Sequence, residues 1–404
     1  MLHDHLEDQT AIRTQFGAIF VSLELSRKTW LMTSLSPGKG EKMSKRSVQA
    51  GDVAGLLRRF AELRSKAAAR TGQVFPIIVI QEAGLDGFWL HRLLEREGFE
   101  SHVVDPASIA VPRRRRRAKT DKIDGEALLR ALLAYKRGEP RVCSMVVAPS
   151  PEGEDERRLC RERKTLIGER VAHVNRIKGL LFAQGIQDYA PLSRNRRKRL
   201  EELRTGDGRV LPPHVKAQIE RELDRLETVI DQIKAVEKER DRVLFPAAPK
   251  AGRGEARSGA AKAGRGEAQA PGAARLTDYR GIAEDAAATL WSEGLSRHFS
   301  NRRQVGAYAG YAPTPWRSGS IAHEQGVSKA GNPRLRTTML EVAWLWTRHQ
   351  PDSALTRWYF ARLGDHPTKA RKKTAIVALA RKLLVALWKY VRFGEVIEGA
   401  VMRS

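Results

Sequence analysis

The chain is poor in cysteine and in long apolar runs, and each deficit excludes a class of protein. Its only cysteines, Cys143 and Cys160, form neither a zinc-binding pattern nor a disulfide framework. No window approaches the roughly 18 uninterrupted apolar residues that a transmembrane helix requires. The first residues, MLHDHLEDQTAIRTQ, lack the basic and apolar regions of a signal peptide. We therefore expect a cytoplasmic protein that is neither exported nor inserted into a membrane.

Acidic residues are also in short supply relative to basic ones. The 404 residues include 73 Lys and Arg against 47 Asp and Glu, which gives a formal net charge of +26. A surplus of this size predicts a polyanionic partner, with nucleic acid as the leading candidate. Hydrophobic residues make up 41% of the chain, which is enough for cores in two or three domains.

The N-terminal part of the chain, residues 16–150, has the pattern of an α/β domain. Its apolar runs predict three strands, then a helix, a strand, a helix and a strand. This order favours a mixed sheet covered by helices. After a run of arginines, TDKIDGEALLRALLAYKRG predicts another helix, with Thr120 as its N-cap and Gly138 as its stop signal.

Three further segments follow. Residues 151–246 are charged, with apolar residues at helical spacing, and predict a coiled-coil arm or, alternatively, a plain helical subdomain. Residues 247–275 are rich in Gly and Ala and contain KAGRGEA twice, which predicts a disordered linker. Residues 276–395 predict a mostly α-helical domain, in which the polar loop TPWRSGSIAHEQGVSKAGNP precedes two closing helices.

Four acidic residues suggest a metal site within the α/β domain. Glu24 alternates with leucines in a predicted strand, Glu82 ends the apolar strand FPIIVIQE, and Asp121 and Asp124 share one face of a predicted helix. An unpaired buried carboxylate is unfavourable, whereas Mg²⁺ takes oxygen ligands from carboxylates and from substrate phosphate. The simpler alternatives are that the two aspartates complement the helix dipole and that Glu82 is a surface residue.

A basic block lies directly before the two aspartates. We expect this block to hold nucleic acid while the four acids hold divalent metal against a phosphate. Its residues are Arg113, Arg114, Arg115, Arg116, Arg117 and Lys119.

The motifs SLELSRKTW, VIQEAGLDGFWLHRLL and RRAKTDKIDGEAL, in this order, resemble the DEDD-type insertion-sequence transposases, the family of bridge-RNA-guided recombinases. The resemblance covers about residues 16–395. It implies an RNase H-like (RuvC-like) N-terminal domain and a C-terminal transposase domain with a nucleophilic serine. It also implies that Glu24, Glu82, Asp121 and Asp124 are catalytic ligands of Mg²⁺. Glu24 departs from the family pattern, which usually has Asp there.

A second match to this family lies in YAGYAPTPWRSGSIAHEQGVSKAGNPRLR. The resemblance places the catalytic serine at Ser318, with Ser320 as a competitor and Ser328 as a weaker one. A serine nucleophile needs activation and a phosphate held nearby. Phosphate contacts are expected from Arg317, Lys329, Arg334 and Arg336. In the same domain YRGIAEDAAATL resembles a Gly-hydrophobic-Gly motif of the family, with Ala283 in place of the second glycine, and Trp344, Trp346 and Trp388 are interpreted as core residues.

The resemblance implies a transposase that acts as an RNA-guided DNA recombinase through a covalent phosphoserine intermediate. Its expected partners are double-stranded donor and target DNA, a structured non-coding guide RNA, and further copies of the chain in a dimer or tetramer, associated with the nucleoid. Two other functions remain open. One is a metal-dependent nuclease similar to a Holliday-junction resolvase, with water as nucleophile. The other is a non-catalytic basic RNA-binding protein.

Overall fold

The structure, a computed structural model, describes residues 17–38, 42–84, 87–109, 121–139, 142–246, 272–318 and 321–403. Within these ranges it leaves out the side chains of residues 107, 121–123, 315–318 and 321–325. The chain divides into two compact units, residues 1–149 and residues 150–404. The predicted basic block and most of the predicted linker, residues 247–271, lie outside the described residues.

The first unit is a five-stranded mixed sheet with helices on both faces. Its elements are β1 (Ile19–Leu25), β2 (Thr29–Leu35), β3 (Ser44–Gln49), α1 (Val53–Thr71), β4 (Ile77–Glu82), α2 (Trp89–Arg96), β5 (Glu100–Val104) and α3 (Asp121–Lys136). The predicted order of strands and helices is therefore confirmed. The spatial strand order is β3-β2-β1-β4-β5, in which β1, β2 and β3 are antiparallel and β4 and β5 run parallel to β1.

Successive side chains of a strand point to opposite faces of the sheet, and each face has its own hydrophobic core. Ile19, Val21 and Leu23 face α1 and α2 in one cluster, whereas Phe20 faces α3 in the other. Residues two apart on a strand share a face. The even-numbered positions of β1, which include Ser22 and Glu24, therefore lie on the face that α3 covers.

The second unit begins with two 32-residue helices, α4 (Pro151–Phe182) and α6 (Pro213–Leu244), joined through the short α5 (Arg196–Glu202). The helices are antiparallel, because Leu181 near the end of α4 packs with Ile219 near the start of α6, whereas Cys160 packs with Leu244. Buried residues of α6 recur every three or four positions, which is the spacing that one apolar stripe requires. The predicted helical segment thus consists of two paired helices.

The rest of the second unit is mostly helical. Its elements are α7 (Gly272–Leu276), α8 (Glu284–Leu290), a π-helical turn (Trp291–Leu295), α9 (Arg302–Tyr308), β6 (Pro313–Ser318), β7 (Ile321–Val327), α10 (Pro333–His349), α11 (Ala354–Leu363) and α12 (Lys369–Phe393). Tyr279, Tyr311 and Trp346 are nearly inaccessible at the centre of its core. The predicted mostly helical character is confirmed.

Several details of this unit differ from the sequence prediction. The predicted polar loop before the closing helices is a two-stranded antiparallel hairpin, β6–β7, and α11 was not predicted. Residues 272–275 of the predicted linker are helical, because buried Ala273 packs against Cys160 and Leu244. Packing also continues beyond the predicted end at residue 395, where Ile397 is buried and Met402 pairs with Tyr279.

Candidate active site

Glu24 and Glu82 lie next to each other on adjacent parallel strands. Leu23 of β1 is aligned with Gln81 of β4, so the following residues on the two strands are Glu24 and Glu82. Neighbouring strands are about 4.8 Å apart, and residues in register point to the same face. Glu24 is half-buried and Glu82 is exposed. The pairing therefore places two carboxylates side by side at the carboxyl end of the sheet, on the face of α3.

The N-terminal turn of α3 is held close to this part of the sheet. The hydroxyl of Ser22 donates a 2.7 Å hydrogen bond to the carbonyl oxygen of Gly125. A Cβ at Gly125 would lie 2.7 Å from Oγ1 of Thr33 and 3.7 Å from Cγ of Glu24. A side chain at this position would force Thr33 to move, so glycine favours this close approach of the helix to the strands. The residue before it, Asp124, is consequently held beside the strand that carries Glu24.

The two aspartates occupy the first turn of this helix. Asp121 is the first residue of α3, and its side chain lies outside the described residues, whereas Asp124 is half-buried. A salt bridge of 2.5 Å between Lys45 on β3 and Glu126, in the next turn of α3, also links this helix to the sheet. Among the side chains that the structure describes, no three of His, Cys, Asp and Glu are placed to hold a metal ion. The structure thus brings Glu24 and Glu82 together beneath the turn that carries Asp124, without a complete ligand set.

Sequence reasoning missed Ser22, Thr33 and Gly125, which position the acids. Ser22 could have been found, because it is two residues before Glu24 on the same strand face. Gly125 directly follows Asp124 in KTDKIDG, but its close approach to Thr33 depends on how α3 packs. Neither the register of the strands nor this packing is visible in the sequence.

The residues of the basic block, Arg113 to Arg117 and Lys119, lie outside the described residues. Ser318 is the last residue of β6, where it is paired with Ile321, and its side chain is not described. Ser320 lies outside the described residues. The backbone N–H of Ser328 donates to the carbonyl oxygen of Ala312 (2.8 Å). Ser318 therefore lies at the tip of the β6–β7 hairpin and Ser328 at its base.

The four predicted phosphate contacts have different surroundings. Arg336 donates to the carbonyl oxygens of Lys329 (2.8 Å) and Ala309 (3.4 Å), so it ties together the two chain segments at the base of the hairpin. Lys329 itself is exposed, with a left-handed backbone at φ 56°. Nε of Arg334 lies 4.0 Å from Oε1 of Glu293. The side chain of Arg317 is not described.

Among the remaining predictions for this unit, the structure confirms two core tryptophans and contradicts a third. Gly281 has φ +97° and Ile282 is buried, and Ala283 caps α8 in extended conformation. Trp346 and Trp388 are core residues as predicted. The core assignment of Trp344 was wrong, because this side chain is 49% exposed on the outer face of α10.

A charged cluster, in which the sequence motifs indicated only Arg334, lies between α4, the π-helical turn and α10. Its buried centre is Glu293, which accepts hydrogen bonds from Arg161 (2.9 and 3.2 Å) and from the amide of Asn332 (2.8 Å). Burial disfavours the ionised form of this carboxyl, but the bonds from Arg161 and Asn332 outweigh it, and the pKa of Glu293 is lowered. Arg161 and Glu293 are 132 residues apart in the sequence, so no local signal could have found their pairing.

Two sequence profiles match the chain. A DEDD transposase profile of IS110 elements, described as "Transposase", matches residues 35–183, and one described as "Transposase IS116/IS110/IS902 family" matches residues 273–358. The first match includes Glu82, Asp121 and Asp124 but begins after Glu24. The second includes Ser318, Glu293 and Asn332.

Curated relatives agree with both profiles. The chain is 67% identical over 398 residues to the "Putative transposase y4rJ" of Sinorhizobium fredii, and the match covers 98% of each protein. It is 26% identical over 399 residues to the "Putative transposase y4qE" of the same organism, covering 92% of this chain and 88% of that relative. The class is therefore that of an insertion-sequence transposase, an enzyme that acts on DNA. Within this class, the chain belongs to the IS110 family. None of the helices in the described part of the chain has the length and apolar character needed to cross a bilayer.

Proposed function

We propose that the chain is an RNA-guided DNA recombinase, which cuts and rejoins DNA through a covalent link to Ser318. The observation that carries the proposal is the placement of Glu24 beside Glu82 beneath the N-terminal turn of α3. The strand order β3-β2-β1-β4-β5 supports the RuvC-like, RNase H-like classification that the sequence resemblance implies.

The acids around this turn fit a divalent metal by their chemistry. Carboxylate oxygens are hard ligands, and Mg²⁺ is usually held by one or two carboxylates together with substrate phosphate. Glu24 and Glu82 would hold it from the sheet, and Asp121 and Asp124 from α3. When bound, Mg²⁺ would neutralise charge on the phosphate oxygens. The bond from Ser22 to Gly125 holds α3 against the strand that carries Glu24.

The chemical step at Ser318 exchanges one ester bond for another. The serine Oγ attacks the phosphorus, the Oγ–P bond forms, and the bond from phosphorus to a deoxyribose oxygen breaks. The departing oxygen takes the proton that the serine loses. Because the phosphoserine link retains the ester, the reverse attack by a new DNA end rejoins the strand without ATP.

A structured guide RNA selects the DNA sites in this proposal, because it pairs with donor and target DNA. The protein then needs to hold the backbones and shapes of these nucleic acids. A net charge of +26 supports that role. The paired helices α4 and α6 would serve as the coiled-coil arm through which copies of the chain assemble.

The test traps protein covalently attached to DNA and maps the modified residue by mass spectrometry. Ser318→Ala is expected to bind DNA and RNA like the unchanged protein, since one hydroxyl adds little to binding dominated by phosphate charge, but to yield no adduct and no recombinant. Ser320→Ala, the matched control two residues away, is expected to keep the adduct. Glu82→Gln is expected to lower adduct formation at least tenfold, equivalent to about 1.4 kcal/mol in the barrier.

Each alternative function gives a different outcome. A nuclease that uses water would cleave DNA with Mg²⁺ and form no adduct in any variant. A non-catalytic RNA-binding protein would show no strand cleavage at all. A nucleotide mapped to Ser320, or an adduct that survives in Ser318→Ala, would remove Ser318 from the mechanism.

A further inference from the structure

The last two helices of the second unit carry a large surplus of basic residues. Residues 354–393, which span α11 and α12, contain ten Lys and Arg against a single acidic residue, Asp365. Six of the ten are exposed and make no ion pair or hydrogen bond with another side chain in the described part of the chain. We call these six residues the α12 basic surface: Arg362, Lys369, Arg371, Lys372, Lys373 and Lys382.

Trp358 of α11 holds two members of this surface close together. Nζ of Lys382 lies 4.6 Å from the centroid of its ring, and Cζ of Arg362 lies 5.8 Å from it. Contact with an aromatic ring orients a cation but does not neutralise it, so both side chains keep their charge. Nε of Arg371 donates to the carbonyl oxygen of Arg362 (3.2 Å), which ties the start of α12 to the end of α11. The two helices thus present these three cations in a defined arrangement.

The beginning of α12 is exposed on every side. Each residue from Lys369 to Thr374 is exposed, a stretch longer than one helical turn, and the first buried residue is Ala375. The first turn contains no acidic residue, although negative charge is what stabilises this end of a helix. Lys369, Lys372 and Lys373 therefore do not stabilise the helix by their charge, and a partner outside the fold accounts for them better.

We propose that the α12 basic surface binds the phosphate backbone of duplex DNA. Arg371 and Lys382 are eleven residues apart on α12, which places them on one side of the helix and about 16 Å apart along its axis. This distance corresponds to about five base pairs at roughly 3.4 Å each. Proteins that bind single strands offer aromatic rings on which bases stack, whereas the ring of Trp358 already contacts two cations. A double helix, recognised through its backbone, therefore fits this surface.

The choice of DNA as the partner rests on the family to which the chain belongs, that of transposases, which act on DNA. The surface adds a DNA contact to the proposed function. It depends neither on Ser318 as the nucleophile nor on the four acidic residues of the first unit.

The experiment measures equilibrium binding of the full chain to a DNA duplex, and to an RNA duplex of the same length, at several salt concentrations. The test variant combines Lys369→Gln, Lys372→Gln and Lys373→Gln. It is expected to bind DNA at least tenfold more weakly and to reduce the slope of log K against log salt by about 2–3, because each lost phosphate contact removes about 0.9. Arginine at the same three positions keeps the charge and should retain DNA binding within about twofold.

The control variant removes the same amount of charge from three paired cations of the second unit. It combines Arg158→Gln, Lys234→Gln and Arg357→Gln, whose side chains pair at the surface with Asp155 (3.6 Å), Asp231 (2.9 Å) and Glu398 (3.3 Å). Because neighbouring carboxylates already offset these charges, the control should lower the affinity for DNA by less than about threefold.

Thermal unfolding separates binding from a purely structural role. The three lysines lie at the positive end of the α12 dipole, so the test variant should unfold at the same or a higher temperature than the unchanged protein. The proposal would be overturned by equal weakening in the test and control variants or by a test variant that unfolds at a lower temperature. A test variant that loses RNA binding but keeps DNA binding would also overturn it. Cleavage is not measured, so failure of Ser318 as the nucleophile would leave this result unaffected.

Discussion

At the scale of single residues, Gly125 determines how closely α3, which carries Asp124, can approach the strand that carries Glu24. It lies in the first turn of α3, its carbonyl accepts from Ser22, and Thr33 fills the space where a side chain would be. The hydroxyl of Thr33 is buried and has no hydrogen-bond partner among the described residues. The close contact between α3 and the sheet therefore depends on the absence of a Cβ at Gly125.

Gly125→Ala is expected to destabilise the first unit by about 1–3 kcal/mol, because overpacking forces neighbouring atoms to move. Thr33→Ala removes the atom that the new methyl group would meet. The double variant should therefore recover part of the loss, with a coupling energy of about 1 kcal/mol. Chemical denaturation of the two single variants and the double variant measures this coupling.

The control for this substitution is Gly168→Ala. Gly168 lies within α4 with nothing within 4 Å of a Cβ, so alanine there should stabilise by roughly 0.5–1 kcal/mol. If Gly125→Ala behaved like Gly168→Ala, or if the double variant showed simple addition, the close approach of α3 would not limit the site.

The candidate acids show what the sequence could predict at this scale. Residue types and motif order were enough to select Glu24, Glu82, Asp121 and Asp124. Their arrangement depends on the register of β1 against β4 and on the packing at Gly125, and both arise from long-range contacts. The ion pair between Arg161 and Glu293 was not predictable, because the two residues come from separate elements and share no spacing.

At the scale of elements, the π-helical turn Trp291–Leu295 directs a charged side chain into the protein interior. Glu293 is 2% exposed and bonds to Arg161 on α4 and to Asn332 at the start of α10. Single π-helical turns often occur at functional positions. Here one carboxylate links the turn to α4 and to the start of α10.

Glu293→Gln is expected to lower the free energy of unfolding of the second unit by about 1–3 kcal/mol near pH 7, since it removes charged hydrogen bonds at a buried position. The pKa of Glu293 is lowered in the folded state. Its contribution is therefore complete above the ordinary pKa of glutamate, near 4.5, and is lost as the pH falls through the lower, folded value. The difference between the two proteins should be constant from pH 7 to about 5 and should shrink below it, as measured by denaturation at several pH values.

Glu398→Gln provides the comparison in the same unit. Glu398 is 81% exposed and pairs at the surface with Arg357, so its loss should change stability by less than about 0.5 kcal/mol. A pH-independent difference for Glu293→Gln would mean that its charge does not stabilise the fold.

Most elements with regular apolar spacing were predicted, with α11 as an exception, and the irregular β6–β7 hairpin was not. The strands of the first unit alternate or form dense apolar runs, which give clear signals. The β6–β7 hairpin contains Pro313 and Pro315, with a register shift between them, and proline argues against a strand. Helix α11 did have a signal, because Ser353 caps it and Leu355, Tyr359 and Leu363 recur every four residues.

At the scale of the whole molecule, the segment between α6 and α7 is bounded by residues that pack together. Leu244 and Phe245 at the end of α6 share a hydrophobic cluster with Ala273 of α7. The intervening residues 247–271 lie outside the described part of the chain, and they include no large apolar side chain. The segment between α6 and α7 therefore needs only to connect two helix ends that lie close together.

Deleting residues 252–267 should leave the unfolding transitions intact. The nine remaining residues can span up to about 30 Å, more than two ends of one cluster require. A shorter connection reduces the entropy of loop closure, so the second unit should gain on the order of 1 kcal/mol. Replacing the same residues with an equally long Gly–Ser sequence should change nothing, which separates length from composition. Thermal and denaturant unfolding measure both variants. Loss of the transition of either unit in the deletion, or a matching loss in the Gly–Ser variant, would show that these residues contribute to the fold.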